Sequence, residues 1–411
     1  MIPNGVLAAL FCVLTFPNQA YSSPSQCQLP TPPQQLLVKP AACLLTEEVV
    51  GDTVAKKPHV QGEWTEAPDC VEGKERKYCV HTTSKFRGGG LSIISTPEAA
   101  EAASKAFAHA RKHAHYPHDD WLEVQDIPGK GKGLVAKELL KKGKIIMVDA
   151  ARVITSSKVP FHVQPGEGLK LYDSAVDRLP PKDRSLVLAL DRSKKSTGAD
   201  DILKTNSFGC LFPDGSEGEG DGYLCLFPLV SRINHACRPN ANAKFMPRTL
   251  LMEIKALRDI QAGEEISISY GRVDLKHAER QDLYQKGWHF TCTCPLCTAD
   301  SYAIAGSDQR RARFAWLHEQ LDSLTSETFD AEQIIGWEEE VFEISAKEGF
   351  EVLIAADLER MAYVYDGLGK RDKAIMWAKR ARKNLLNWTV VDGGLNNELD
   401  RVDGLLRELG V

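Results

Sequence analysis

Two stretches hold most of the residues in this chain that could do chemistry. Arg232 to Ala241 contains Asn234, His235, Cys237, Pro239 and Asn240 in the spacing Asn-His-x-Cys-x-Pro-Asn. Further on, Gly263-Glu264-Glu265-Ile266 is followed by Tyr270, and then by Cys292-x-Cys294-x-x-Cys297. The clustered cysteines have metal-ligand spacing. A closed tetrahedral zinc site takes four ligands, and Cys237 is the natural fourth. Disulfides are the competing chemistry, but cysteines this close in sequence pair poorly with one another. His289 is a further candidate that a four-cysteine set does not need. Asn234 and His235 offer amide and backbone hydrogen bonds to a polar ligand, while Pro239 fixes a turn and Asn240 can satisfy local backbone groups. Tyr270 closes a strand-like run, where its hydroxyl is either an oriented group at a reaction site or simply part of a packed ring.

The elements that must carry these residues are legible in outline. Glu123 to Ile154 alternates short β-type runs with Gly-rich turns, as strands joined by tight loops do. Within it, Gly129, Gly131 and Gly133 permit close backbone approach to a ligand, without the strand-turn-helix context or downstream acid of a dinucleotide site. Residues 165–205 carry helical patterning through Leu171, Val176, Leu179, Leu186, Val187 and Leu190. Residues 214–221 form an acidic, Gly-rich loop, and Gly222 to Gly271 returns to strands, notably over Leu250–Ile254 and Ile266–Tyr270. Beyond Cys297 the pattern is helical: Phe314, Leu317, Leu321 and Leu324 share one face, Leu358, Met361, Ala362 and Tyr365 another, and Ala374, Trp377, Ala378, Ala381 and Leu385 a third. Small residues alternating with large ones across a short Gly turn resemble a tetratricopeptide-type helix pair. A helix is also expected from Pro97 to about His113, capped by Thr96. His109, His113, His115 and His118 at its end lack a nearby Cys or well-placed acid and are expected to be solvated rather than metal-bound.

A length of 411 residues allows two or three domains. The net charge of −5 provides no broad basic field, so sequence-specific nucleic-acid binding is not expected. No apolar run reaches membrane-spanning length. Val6 to Phe16, followed by Ala20-Tyr21-Ser22, has the pattern of a cleaved signal peptide over residues 1–22, although no Lys or Arg precedes it. A buried or disordered apolar segment is the alternative. A signal would place the chain in the secretory pathway, against a nuclear or cytoplasmic location without one. In that pathway Cys27, Cys43, Cys70 and Cys79 would suit two disulfides. Cys210 and Cys225 are expected as buried free thiols. Asn387-Trp388-Thr389 is a glycosylation sequon.

Together these motifs resemble the SET-domain protein-lysine methyltransferases, most closely the SET-and-MYND family and related fungal SET proteins, over about Trp121 to Cys297. Residues 151–205 contain no cysteine, so the MYND zinc finger is absent, and Ala236 stands where the pattern usually has Ser. The resemblance implies an α+β fold of short SET strands. A helical insert over about 155–205 would lie within a SET domain at 119–272, preceded by an N-terminal arm and helix at 23–118. A zinc-bound post-SET segment would follow at 273–300, and a tetratricopeptide-like helical domain at 301–411. It implies methyl transfer from S-adenosylmethionine to the ε-amine of a protein lysine, with Tyr270 as the catalytic tyrosine. The cofactor would be held by Lys130, Gly131, Lys132, Gly133, Asn206, Ser231, Asn234 and His235, with Phe290 against its adenine. Structural zinc would bind Cys237, Cys292, Cys294 and Cys297. Trp288 matches only loosely a second aromatic near the lysine channel. The partners implied are a protein substrate and a protein bound by the helical C-terminal domain. The alternative is a non-catalytic SET scaffold acting through that domain.

Overall fold

The structure, a computed structural model, describes residues 64–65, 67–110, 120–210, 222–247, 249–325, 327–389 and 398–411. The signal segment, residues 23–63 of the N-terminal arm, Cys12, Cys27, Cys43, His113, His115, His118 and the acidic loop lie outside the described residues, whereas residues 69–95, expected as part of that arm, form strands. The chain divides into two compact units, the first comprising the described residues up to Gln309 and the second those from Arg310 onward.

The first unit is α+β. Its strands are β1 (Asp69–Glu72), β2 (Lys77–Phe86) and β3 (Gly89–Ser95), then β4 (Leu122–Ile127), β5 (Gly131–Ala136), β6 (Ile145–Ala150) and β7 (Val153–Ser156). After four helices come β8 (Phe208–Cys210), β9 (Tyr223–Leu226), β10 (Asn234–His235), β11 (Ala241–Met246), β12 (Leu251–Ala256) and β13 (Ser267–Ile268). Six of these form one sheet in the order β1-β2-β3-β7-β9-β8. Its β2–β3 hairpin turns at Arg87 and Gly88, whose φ values of 47° and 75° lie in the left-handed region. β3 shows why the sheet is buried on both faces. Leu91 and Ile93 join one apolar cluster with Leu134, Ile146, Ile254 and Ile266. Ile94 joins the other, with Leu171, Val176, Ile202 and Leu203, as the alternation of strand side chains dictates.

The second cluster explains the helical insert. α1 (Pro97–Ala110) precedes it, and α2 (Val159–His162), α3 (Pro165–Asp177), α4 (Pro181–Leu188) and α5 (Gly198–Asn206) make it up. The insert therefore completes the sheet's core. Polar anchors seat it: Asp183 accepts the Gly90 N–H at 2.8 Å and pairs with Arg152 at 3.0 Å. α6 (His277–Trp288) closes the unit, ending at His289 with φ 59°.

Two disulfides sit on the same sheet, one at each edge. Cys70 and Cys79 are direct cross-strand partners on β1 and β2. Cys210 on β8 is bridged to Cys225 on β9, which corrects the expectation of free thiols. The cause is register: Cys210 lies opposite Tyr223 and Phe208 opposite Cys225, so the two sulfurs share a face with their Cα atoms 6.0 Å apart, within disulfide reach.

The second unit is helical, with α7 (Ser301–Asp322) entering it from Arg310, then α8 (Ala331–Glu348), α9 (Ala355–Gly367), α10 (Arg371–Trp388) and α11 (Glu398–Glu408). Asp330 caps α8 by accepting the N–H groups of Glu332 and Gln333. Buried ion pairs tie the helices, Arg360 to Glu338 and Arg311 to Glu348 at 3.0 Å, while Asp357 pairs with Arg360 within α9. Among the described residues no helix is long and apolar enough to cross a membrane.

The Cys210–Cys225 bridge closes a segment of 15 residues, for which restricting the unfolded chain contributes about 3 kcal/mol. Replacing both cysteines with serine should cost about 2–4 kcal/mol of stability by urea denaturation under non-reducing conditions. A midpoint unchanged by the replacement would mean the bridge does not form.

Candidate functional site

β10 and β13 pair in parallel, Asn234 opposite Ser267 and His235 opposite Ile268. Two residues of pairing would be weak alone, and Asn240 braces them. Its side chain donates to the Glu265 carbonyl at 2.8 Å and accepts the Ser267 N–H at 2.8 Å. Tyr270 follows directly, and its hydroxyl donates to the Ile233 carbonyl at 2.9 Å. The Tyr270 N–H donates to His235 Nδ1 at 3.1 Å, while His235 Nε2 lies 3.3 Å from Cys237 Sγ. Because Nδ1 accepts, the proton sits on Nε2 and points at the sulfur. Burial pushes His235 down to about 3, so the ring is neutral.

The same burial, with Glu265 and Asp191 nearby, pushes the Tyr270 hydroxyl well above its ordinary range. It stays protonated at neutral pH, free to orient a partner but not to remove a proton. Aromatic rings surround it: Trp288 at 5.4 Å, His235 at 5.5 Å and Phe290 edge-on at 6.4 Å between centroids. Phe290 stacks on the buried Tyr284 at 5.4 Å, and the Trp288 indole N–H donates to the Thr205 carbonyl.

The hairpin β4–β5 forms the other wall. Its turn uses Gly129 and Gly131, with φ of 74° and 73°. Gly133 must be glycine for another reason: a Cβ there would lie 2.5 Å from Ile127 Cγ1 and 2.8 Å from Asn234 Nδ2. Asn234 Nδ2 donates to the Lys132 carbonyl at 3.2 Å and to Glu265 Oε1 at 2.9 Å, and Lys130 Nζ lies 2.6 Å from Glu265 Oε2.

Cys237, Cys292, Cys294 and Cys297 bring their sulfurs within 4.8 Å of one another. Each of these thiols hydrogen-bonds its neighbours, with Cys237 Sγ 3.8 Å from Cys292 Sγ and 3.4 Å from Cys297 Sγ. His289, exposed at the end of α6, is not among them. The guanidinium of the fully buried Arg280 hydrogen-bonds the Cys237 and Cys297 sulfurs.

Residues 131–271 match the family model for the SET domain. The chain carries a SET domain. It is 28% identical over 195 residues to the histone-lysine N-methyltransferase set5 of Schizosaccharomyces pombe, covering 47% of this chain and 56% of that protein. It is 41% identical over 99 residues to the protein-lysine N-trimethyltransferase SMYD5 of Gallus gallus, covering 22% of this chain and 23% of that one. The protein-lysine N-methyltransferase SMYD4 of Homo sapiens is 32% identical over 89 residues, 21% of this chain and 11% of that protein. The chain thus matches little more than half of the first relative's length and smaller shares of the other two.

Within the SET domain the expected residues are not all used alike. Lys130, Gly133, Asn234, His235 and Tyr270 converge, with Phe290 beside them just past the domain. Lys132 contributes its carbonyl, while its ammonium pairs with Asp126 on the open surface at 2.7 Å. The Asn206 side chain is spent locally, donating to the Asp191 and Ile202 carbonyls, and its own carbonyl accepts the Ser231 hydroxyl at 3.0 Å.

Three residues near the SET core were not singled out from sequence. Glu265 stood in plain view beside Tyr270 but carried no signal of its charge partner. Arg280 sits in an ordinary polar helix pattern. Asp149 lies on β6, and its carboxylate accepts the N–H groups of Leu229 at 2.7 Å, Val230 at 3.2 Å and Ala150 at 2.9 Å. It thereby fixes the turn that launches Ser231 and Asn234.

Burial raises Asp149 to about 6 against the pull of those donors, from about 3.9 in an unfolded chain. The native state therefore holds this proton more tightly, and the associated stability is complete below about 4 and lost as pH rises through about 6. Asn at this position does not titrate. The stability of Asp149→Asn relative to the native chain should shift in the variant's favour between about pH 4.5 and 7.5, read by urea denaturation. A difference that stays constant with pH would contradict this.

Proposed function

We propose that the chain is an S-adenosylmethionine-dependent protein-lysine N-methyltransferase with a structural zinc ion. The observation that carries the reading is the convergence of a protonated, backbone-anchored Tyr270 hydroxyl with Asn234 and His235 on paired strands. The methyltransferase names of the SET-domain relatives support it.

The cofactor, when bound, supplies an electrophilic sulfonium methyl group, and the residues that would hold it are Asn234, Lys130 and the backbone around Gly131 and Gly133. Gly129 has open space where a Cβ would sit and Gly131 meets only Asp191 at 3.7 Å, which fits close approach of a ligand, while Gly133 packs against Ile127 and Asn234. A lysine amine has a pKa of about 10.4 in water and attacks only when neutral. The Trp288 ring, 5.4 Å from that of Tyr270, offers an apolar surround that disfavours the charged form, so the amine gives up its proton to bulk water before it attacks, and Phe290 is kept for the adenine. Tyr270 donates to Ile233, so its oxygen lone pairs are available to accept an N–H of the amine and aim the nitrogen.

Zinc suits the donor set. Tetrahedral thiolate zinc has Zn–S bonds of about 2.3 Å, which puts sulfurs about 3.8 Å apart. Cys237 Sγ lies 3.8 Å from Cys292 Sγ and 3.4 Å from Cys297 Sγ. Four thiolates around a divalent ion leave two negative charges, of which the buried Arg280 guanidinium offsets one. The two edge disulfides favour maturation in an oxidising compartment, and we propose the secretory pathway on that ground. The paired helices α9 and α10, with Ala374, Ala378 and Ala381 buried, favour a tetratricopeptide-like second unit that engages a protein partner.

Tyr270→Phe should lower methyl transfer from labelled cofactor to lysine-bearing protein at least about 100-fold. Affinity for S-adenosylhomocysteine should change by less than about threefold, since the hydroxyl is assigned to the reacting amine. Undiminished transfer would contradict the assignment. Cys294→Ser should abolish the zinc content of the purified chain by metal analysis, and full retention would overturn the ligand set.

A further inference from the structure

One ion pair beside the Gly-rich hairpin is built in an unusual way. Lys130 Nζ and Glu265 Oε2 are 2.6 Å apart, with side chains 23% and 20% exposed. Neither group is saturated by its partners. A carboxylate accepts about four hydrogen bonds, and Glu265 takes donors from Lys130 and Asn234. An ammonium has three donors, and Lys130 directs one at Glu265. The Lys132 carbonyl, 3.2 Å from Asn234 Nδ2, adds a further acceptor. Glycine at 133 lets these groups pack tightly, because a Cβ there would fall 2.8 Å from Asn234 Nδ2 and 3.2 Å from Glu265 Oε1.

We propose that Glu265 is a cofactor-recognition residue that binds the α-ammonium of the amino-acid moiety, with Lys130 facing its carboxylate. This rests on the methyltransferase reading. The pair is a receptor for a zwitterion. Without ligand, each charge neutralises the other, which avoids the cost of a lone half-buried ion. A zwitterion brings one group of each sign and leaves the site neutral, and both ions can bond to it without letting go of each other. Ligands that lack the ammonium, or that carry net negative charge, leave Glu265 facing nothing or facing repulsion, so the pair selects as well as binds. Were Glu265 only a brace for Asn234, its loss would weaken every ligand alike and would not single out the ammonium.

Calorimetric titration of the full chain loaded with zinc separates these possibilities. The probes are S-adenosylhomocysteine, its analogue lacking the α-amine, and 5′-methylthioadenosine, which lacks the whole amino-acid moiety. The native chain should bind S-adenosylhomocysteine at least about tenfold more tightly than the amine-free analogue. Glu265→Gln should erase that ratio while leaving methylthioadenosine affinity within about twofold. A native chain that does not distinguish the first two ligands overturns the proposal, and this arm needs no variant to fold. A variant that binds all three more weakly by one common factor also overturns it. A native chain that binds none of the three overturns the methyltransferase reading itself, a result distinct from the other two.

Discussion

Everything at the site hangs on two residues of parallel strand pairing. β10 and β13 are far apart in sequence, and their register puts Asn234 beside Ser267 and His235 beside Ile268. A slip of one residue would turn Asn234 and Tyr270 away from each other. Pairing so short supplies little cohesion of its own, so the register is held by side chains: Asn240 grips Ser267 and the Glu265 carbonyl, and His235 accepts the Tyr270 N–H. Asn240 and His235 flank Cys237, and this is why the cysteine cluster and the ligand wall cannot be separated. Whatever holds Cys237 also holds the ring that sets Tyr270.

The surrounding fold exists to keep that pairing under compression from two sides. Ile233, Ile266 and Ile268 are buried in the cluster shared with β3, β6 and β12, so the strand ends are anchored in apolar packing while their polar groups face the site. Asp149 adds a polar anchor beside that core. A buried carboxylate is an expensive way to hold a turn, and it is used here at the turn that delivers Ser231 and Asn234. The other side is closed by α6, whose Tyr284 stacks on Phe290 and whose Arg280 reaches the sulfurs.

What could be read from the sequence was whatever lies close along it. Cys292, Cys294 and Cys297 fall within six residues, so spacing announced them, while Asn234, His235, Cys237 and Asn240 fall within seven and drew their expected role from the resemblance to SET-domain methyltransferases. The helical insert was visible because its apolar positions recur with helical period, and its role as the second face of the six-stranded sheet follows from β3 being apolar at successive positions. The sequence was silent where meaning depends on register. Cys210 and Cys225 looked like two thiols flanking a loop, and only the β8–β9 pairing puts them on one face. Asn206 fell in a segment expected to line the ligand, and nothing along the chain signalled that its side-chain amide would donate to the Asp191 and Ile202 carbonyls. Glu265, Arg280 and Asp149 were opaque for a common reason. A charged residue in a strand or helix gives no sign of its partner until the fold brings the partner to it.

The central claim is that the wall formed by Gly133, Asn234 and His235 holds a nucleoside-linked amino acid. The most direct measurement is calorimetric titration of S-adenosylhomocysteine into the zinc-loaded chain and into Asn234→Ala. Micromolar binding at one site per chain, lost by at least about tenfold in the variant, is the expected result. Folded, zinc-loaded protein that takes up no ligand would contradict it, leaving the SET domain here as a scaffold.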